Sequence, residues 1–101
     1  ADGGIGGTYG VMPELYLKIM ELVNAGKLDA ARKVQYAAND IIYAMCACRG
    51  NLYGVIKEIL KIREGLALGG VRKPLPPLIS EDMAQVKKCA EMIDKAIEQF
   101  I

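Results

Sequence analysis

Three cysteines, Cys46, Cys48 and Cys89, are the side chains of this sequence best suited to nucleophilic or metal chemistry, and the chain has no histidine. Cys46 and Cys48 stand two residues apart on a predicted helix, so they point in different directions, and no histidine can complete a zinc site with them. A nucleophilic triad lacks its base for the same reason. The cysteines are interpreted as small buried apolar residues, and the sequence predicts no catalytic or metal-binding residue of its own.

The first ten residues, ADGGIGGTYG, contain five glycines and raise the question of a phosphate-binding loop. A dinucleotide fingerprint requires G-x-G-x-x-G after a strand, whereas Gly4-Ile5-Gly6 is followed by Gly7, Thr8 and Tyr9 and has only three residues before it. Phosphate binding is therefore not predicted. The tyrosines are interpreted as packing residues whose hydroxyl groups reach the surface, except for Tyr9 beside the glycines.

Composition limits the classes of protein to which the chain can belong. Its 101 residues are 52% hydrophobic and 25% charged, as expected for one compact globular unit, and the formal charge of +1 predicts neither a nucleic-acid nor a membrane-surface partner. We find no apolar run of bilayer length and no signal peptide. The odd cysteine count indicates reduced thiols, and a cytoplasmic location is expected.

The spacing of apolar residues predicts four helices after the glycines. The first spans about 13–25, with Pro13 in its first turn and Gly26 after it; the second spans about 30–48, capped by Asp29 and ended by Gly50. The third covers 52–64, between a capping Asn51 and Gly65, and the fourth runs from a capping Ser80 to the end. Residues 66–78, rich in glycine and proline, are predicted to form an ordered loop.

The chain as a whole resembles the dihydrodipicolinate synthase/N-acetylneuraminate lyase family. ADGGIGGTYGVMPELYLKIMELVNAGKLDAARKVQ is similar to the stretch that forms the eighth strand and helix of the family's (β/α)8 barrel. GNLYGVIKEILKIREGL and GGVRKPLPPLISEDM are similar to its C-terminal helices and to their R-x-P-L-x-P connection. GGIGGTYG, followed by MPELY, points to the lyase branch. Because a full barrel takes about 250 residues, the resemblance covers only the last third of one.

The resemblance implies an α/β TIM barrel, in which this mostly α-helical segment supplies the last βα unit (residues 1–26) and a C-terminal helical extension (residues 27–101). A strand rich in glycine is expected to be ordered only by neighbouring barrel strands. The implied reaction is reversible aldol cleavage of the sialic acid N-acetylneuraminate to pyruvate and N-acetylmannosamine. It would proceed through a lysine Schiff base, without metal or organic cofactor, in a homotetramer.

The resemblance also implies roles for three residues. Ile5 would back the pyruvate pocket, and Gly7 stands where many family members carry a serine that binds the polyhydroxyl tail of the sugar. Leu75 stands where some relatives place an aromatic ring over the sugar. The catalytic lysine, the catalytic tyrosine and the carboxylate-binding turn of the family have no counterpart here, so we expect the segment alone to be inactive.

Two alternatives remain open from the sequence. The chain could come from another pyruvate-dependent aldolase of the same family, with a different aldehyde partner. It could also be a non-catalytic helical interaction module, in which the glycines are a flexible lead and the four apolar stripes form a bundle.

Overall fold

The computed structural model describes residues 3–73 and 75–101 and contains four helices: α1 (Pro13–Asn24), α2 (Leu28–Cys46), α3 (Leu52–Glu64) and α4 (Asp82–Phe100). Residues 1 and 2, at the start of the predicted barrel strand, and Pro74, in the R-x-P-L-x-P connection, lie outside the described residues. The predicted helical character of the segment is confirmed. None of the helices described is long and apolar enough to cross a membrane.

The third helix begins and ends where the sequence predicts. The side chain of Asn51 accepts a hydrogen bond from the backbone N–H of Tyr53 at 2.9 Å, which satisfies one of the free donors of the first turn. At the other end Gly65 is left-handed, with φ of 71°, and the N–H of Leu66 donates to the carbonyl oxygen of Leu60 at 3.3 Å. Glycine adopts this conformation without the steric cost of a side chain, and it therefore ends the helix.

The predicted caps of α2 and α4 are wrong. Helix α2 begins at Leu28, one residue before Asp29, and it ends at Cys46, well before Gly50. Helix α4 begins at Asp82 rather than directly after Ser80, and its N-cap residue, Glu81, makes no side-chain capping bond. A capping residue thus predicts the start of a helix only to within one or two residues.

The helices pack around one apolar core. Helix α2 packs most extensively against α1 and α4, while α3 packs mainly against α4. The fully buried large side chains come from all four helices and from the turn before α1: Val11, Met12, Leu15, Val34, Ile41, Met45, Val55, Ile59, Val86, Cys89 and Ile93. Burial of such side chains contributes about 1.5–3 kcal/mol each, so this core is the main source of stability.

The residues before α1 divide into two parts. Residues 3–6 form neither helix nor strand, whereas residues 7–11 form turns. The carbonyl oxygen of Thr8 accepts hydrogen bonds from the N–H groups of Val11 at 3.2 Å and Met12 at 3.3 Å, and both of these side chains are buried. The Thr8 hydroxyl is also 2.7 Å from the phenol oxygen of Tyr16. Residues 8–12 are thus held by contacts within this chain, while residues 3–6, within the expected barrel strand, have no regular structure.

Candidate functional site

Two segments of the chain approach the first turn of α3. We call residues 3–11 the glycine segment, and residues 71–73 and 75–79 the proline segment. The N–H of Asn51 donates to the carbonyl oxygen of Pro76 at 2.9 Å, which joins the proline segment to the start of α3. The ring of Tyr53, two residues further on, lies beside Gly7 of the glycine segment. The first turn of α3 therefore connects the two segments that carry the predicted site residues.

Gly7 lies against the ring of Tyr53. A Cβ atom on residue 7 would lie 3.1 Å from Cε1 of Tyr53 and 3.8 Å from both its Cζ and its phenol oxygen. Positive φ angles occur at Gly26, Gly65 and Gly69 but not at Gly7. The φ angle at residue 7 therefore does not require glycine. Tyr53 is 55% exposed.

Gly50 fixes the position of the proline segment. A Cβ atom on residue 50 would lie 2.6 Å from Cδ2, 2.7 Å from the Cα and 2.9 Å from the backbone nitrogen of Leu78. These distances are shorter than any van der Waals contact between carbon and its neighbours, and two of them involve backbone atoms. The segment can approach α3 this closely because residue 50 has no side chain.

Asp82 holds the turn before α3 from the other side. Its carboxylate accepts three backbone hydrogen bonds, from Arg49 at 2.8 Å, Gly50 at 3.0 Å and Ile79 at 3.2 Å. These bonds, that from Arg49 foremost, lower the pKa of the Asp82 carboxyl below its ordinary value, against the opposing effect of burial. An ionised carboxylate thus ties α4 both to the turn and to the proline segment.

The three residues that the resemblance implies as substrate contacts occupy different environments. The side chain of Ile5 is fully exposed, at 106% of its reference area, and Leu75 is 40% exposed. Gly7 is also exposed. Gly7 and Leu75 are linked through the first turn of α3, by Tyr53 and by the hydrogen bond to Pro76. Their roles as substrate contacts remain predictions.

Tyr53 is the residue at this site that sequence reasoning missed. The sequence predicts a packing residue whose hydroxyl group reaches the surface, whereas Tyr53 is 55% exposed beside the glycine segment. Its spacing from Asn51 and Val55 is that of any helical residue, so no local pattern distinguishes it. Only the tertiary approach of the glycine segment to α3 gives Tyr53 its position.

The cysteines differ from one another. Cys89 is buried as expected, and burial raises the pKa of its thiol to about 11. Cys48 is partly buried, and desolvation together with the negative charge of Asp82 raises its pKa as well. Cys46 is exposed, so its interpretation as a buried residue is wrong. Within residues 3–73 and 75–101 we find no group of three cysteine or acidic side chains that could hold a metal ion.

Known proteins resemble this chain in both sequence and backbone. The sequence profile of the Dihydrodipicolinate synthetase family matches residues 1–93. The N-acetylneuraminate lyase of Mediterraneibacter gnavus is 62% identical over 101 residues, which are 100% of this chain and 32% of that protein. The solved structure of wild-type Ruminococcus gnavus sialic acid aldolase is 62% identical, with a TM-score of 0.98 over 100% of this chain and 34% of that one.

A second structure of that aldolase, described as its catalytic lysine mutant, matches with the same TM-score of 0.98 over 33% of its length. The chain thus spans about one third of the length of these relatives, and it matches their C-terminal part. The expected fold class is confirmed, as a mostly helical C-terminal part of a TIM-barrel enzyme. The chain belongs to the dihydrodipicolinate synthetase family.

Proposed function

We propose that this chain is the C-terminal part of an N-acetylneuraminate lyase. The whole enzyme would cleave N-acetylneuraminate to pyruvate and N-acetylmannosamine. The observation that carries this proposal is the 62% identity to a lyase over every residue of the chain, together with a TM-score of 0.98 to a sialic acid aldolase. Relatives so similar in sequence and backbone support the same reaction more strongly than a shared fold alone would.

The amine that attacks the substrate carbonyl would come from outside this chain. The R. gnavus aldolase has a catalytic lysine, according to the description of its mutant structure. A Schiff-base lysine must be able to lose its proton and must face the reacting carbon. Lys18 and Lys61 lie instead on helix surfaces next to Glu21 and Glu58, and the ammonium group of Lys57 donates to the carbonyl oxygen of Gly70 at 2.9 Å.

The contribution of this chain would be one side of the substrate pocket. We assign residues 1–26 to the last βα unit of the barrel and residues 27–101 to the C-terminal extension. Ile5 would contact the pyruvate part of the substrate, while Gly7 and Leu75 would lie near its sugar part. Active sites of TIM barrels lie at the C-terminal ends of the strands, where the glycine segment precedes α1.

Helix α1 supports this assignment because it is apolar on two sides. Leu15 is buried within the chain, whereas Leu17, Met20 and Val23 are 67%, 42% and 46% exposed. A helix of a βα unit packs its apolar side against the strands of the barrel. The exposed side chains of α1 would cover barrel strands supplied by the rest of the enzyme.

The test uses the full-length protein that carries this chain. N-acetylneuraminate is added, and pyruvate release is followed by a coupled lactate dehydrogenase assay. In parallel, borohydride is added in the presence of pyruvate, and intact mass reports whether one reduced adduct forms on a lysine. We expect pyruvate release and one adduct per subunit, with neither from the isolated segment 1–101.

The two measurements separate the proposal from its alternatives. An adduct without cleavage of N-acetylneuraminate would assign the protein to another pyruvate-dependent aldolase of the family. The absence of both adduct and cleavage would overturn the aldolase proposal and favour a helical interaction module.

We further propose a cytoplasmic homotetramer that needs no metal or organic cofactor. Light scattering of the purified protein tests the subunit number, and activity after treatment with a chelator tests the independence from metal.

A further inference from the structure

We propose that Tyr53 is a substrate-binding residue whose phenol hydroxyl contacts the polyhydroxyl sugar part of the substrate. The proposal rests on the proposed function, because it assigns a sugar to the space beside Gly7. Its starting point is the ring of Tyr53, which lies against the glycine segment although Tyr53 belongs to α3. A polyol is recognised by hydrogen-bonding groups placed at the edge of a pocket.

Gly7 itself offers no side chain to such a ligand. The phenol oxygen of Tyr53 lies 3.8 Å from the point that a Cβ atom on residue 7 would occupy, and the ring carbon Cε1 lies 3.1 Å from it. The ring of Tyr53 therefore borders the space that a side chain on residue 7 would occupy. One hydroxyl group, from α3 rather than from the glycine segment, is available at this place.

The other aromatic residues near the glycine segment, Tyr9 and Tyr16, pack against each other, and Tyr9 is less exposed than Tyr53, at 38%. The phenol oxygen of Tyr16 is 2.7 Å from the hydroxyl of Thr8, and the rings of Tyr9 and Tyr16 pack with centroids 4.4 Å apart. A Cβ atom on Gly4 would lie 2.6 Å from the phenol oxygen of Tyr9, and one on Gly6 would overlap the Tyr9 ring. Tyr53 is 55% exposed and lies beside the glycine segment.

Two hydrogen bonds hold the backbone that carries Tyr53. The side chain of Asn51 accepts from the N–H of Tyr53 at 2.9 Å, and the N–H of Asn51 donates to Pro76 at 2.9 Å. The first turn of α3 is thus fixed at both the capping residue and the proline segment. A hydroxyl group carried by such a turn is preorganised for binding, which reduces the entropy lost when a ligand is bound.

The decisive variant is Tyr53→Phe in the full-length enzyme, because it removes one oxygen atom and leaves the ring. In the condensation direction we expect KM for N-acetylmannosamine to rise about 3- to 10-fold, the effect of losing one neutral hydrogen bond. We expect kcat and KM for pyruvate to stay within about 2-fold, because the lost contact binds the ground state and transition state equally. The matched control is Tyr43→Phe, which removes the hydroxyl of another exposed tyrosine, 71% exposed on α2.

Three results would overturn the assignment of Tyr53. These are an unchanged KM for N-acetylmannosamine, an equal rise in the Tyr43→Phe control, and a parallel loss of kcat, pyruvate affinity and thermal stability, which would indicate a structural role. The wild-type protein also tests the proposed function separately, because its borohydride adduct with pyruvate does not depend on Tyr53. An adduct and normal cleavage with no effect of Tyr53→Phe would reject only the present inference.

A second variant places a hydroxyl group on the glycine segment instead. Gly7→Ser needs only a shift of the exposed Tyr53 ring by a few tenths of an ångström, since the closest contact is 3.1 Å. Combined with Tyr53→Phe, it is expected to lower KM for N-acetylmannosamine again, to within about 3-fold of wild type, by restoring one hydrogen bond. A double variant that binds the sugar more weakly than Tyr53→Phe alone would show that the two positions do not serve one ligand group.

Discussion

The guanidinium group of Arg63 joins the end of the glycine segment to α4. Its Nη1 donates to the carbonyl oxygen of Val11 at 3.1 Å, and its Nε donates to Oδ1 of Asp94 at 3.0 Å. The side chain of Arg63 is only 16% exposed, in contrast to 64% for Asp94. Val11 and Met12 are buried next to this bond, so Arg63 holds the glycine segment against α3, the helix that carries both Arg63 and Tyr53.

We expect Arg63→Met to destabilise the protein by about 1–3 kcal/mol, because it removes a charged donor from a partly buried carbonyl group. Arg63→Lys is expected to recover only part of this loss. A single ammonium group cannot donate to Val11 and Asp94 with the fixed geometry of two guanidinium nitrogens. The measurement is the urea midpoint of the full-length protein.

Arg32→Met is the control for Arg63. Arg32 is 68% exposed and lies 3.8 Å from the exposed carboxylate of Asp29, so its removal is expected to change stability by less than about 0.5 kcal/mol. If both arginine variants unfold at the same urea concentration, the bond from Arg63 to Val11 does not stabilise the fold.

A second prediction concerns the contact between Gly50 and Leu78. We expect Gly50→Ala to destabilise the protein by about 1–3 kcal/mol, because the added methyl group would overlap the backbone of Leu78 and push the proline segment away from α3. The control is Gly10→Ala, since a Cβ on residue 10 meets no atom within 4 Å. Thermal unfolding compares the two. A Gly50→Ala protein as stable as the Gly10→Ala protein would show that the segment does not pack as described.

The helices could be predicted from the sequence because their signals are local. Apolar residues at helical spacing identified the buried side of α2, where Ala31, Val34, Ala38, Ile41 and Met45 are all buried. Asn51 and Gly65 gave both ends of α3, because an acceptor for the first turn and a left-handed residue after the last turn act within a few residues.

The capping prediction at Ser80 failed because Asp82 makes distant contacts. Its carboxylate binds the backbone of Arg49 and Gly50, which no pattern within the fourth helix indicates. The position of Tyr53 escaped prediction for the same reason, since its partner, Gly7, lies in another segment. Local spacing predicts elements, whereas this site arises where separate elements meet.

Asp82 makes stability depend on pH. Backbone hydrogen bonds lower the pKa of its carboxyl in the folded protein below the ordinary value of 3.8, so the unfolded chain binds a proton more readily. This contribution is fully present above that ordinary value and is lost as pH falls through the lower folded pKa. We therefore expect the wild-type protein to exceed Asp82→Asn in thermal midpoint at pH 7, and the difference to shrink as the pH falls below 3.8.

Asp29→Asn is the control for Asp82→Asn. Asp29 is 98% exposed and lies 3.8 Å from the exposed Arg32, so its replacement is expected to leave the thermal midpoint at pH 7 close to that of wild type. A difference between wild type and Asp82→Asn that stayed constant from pH 7 to pH 2 would mean that the folded and unfolded proteins bind protons at residue 82 equally.

The last prediction concerns the three thiols, which differ in exposure. At pH 8 about one thousandth of Cys89 would be thiolate, given its pKa of about 11, and its side chain is also buried. We expect iodoacetamide to modify the exposed Cys46 of the native protein first, Cys48 more slowly, and Cys89 only after unfolding in urea. Peptide mass mapping over time measures the three rates. Modification of Cys89 at the rate of Cys46 in the native protein would show that helix α4 opens readily from the core.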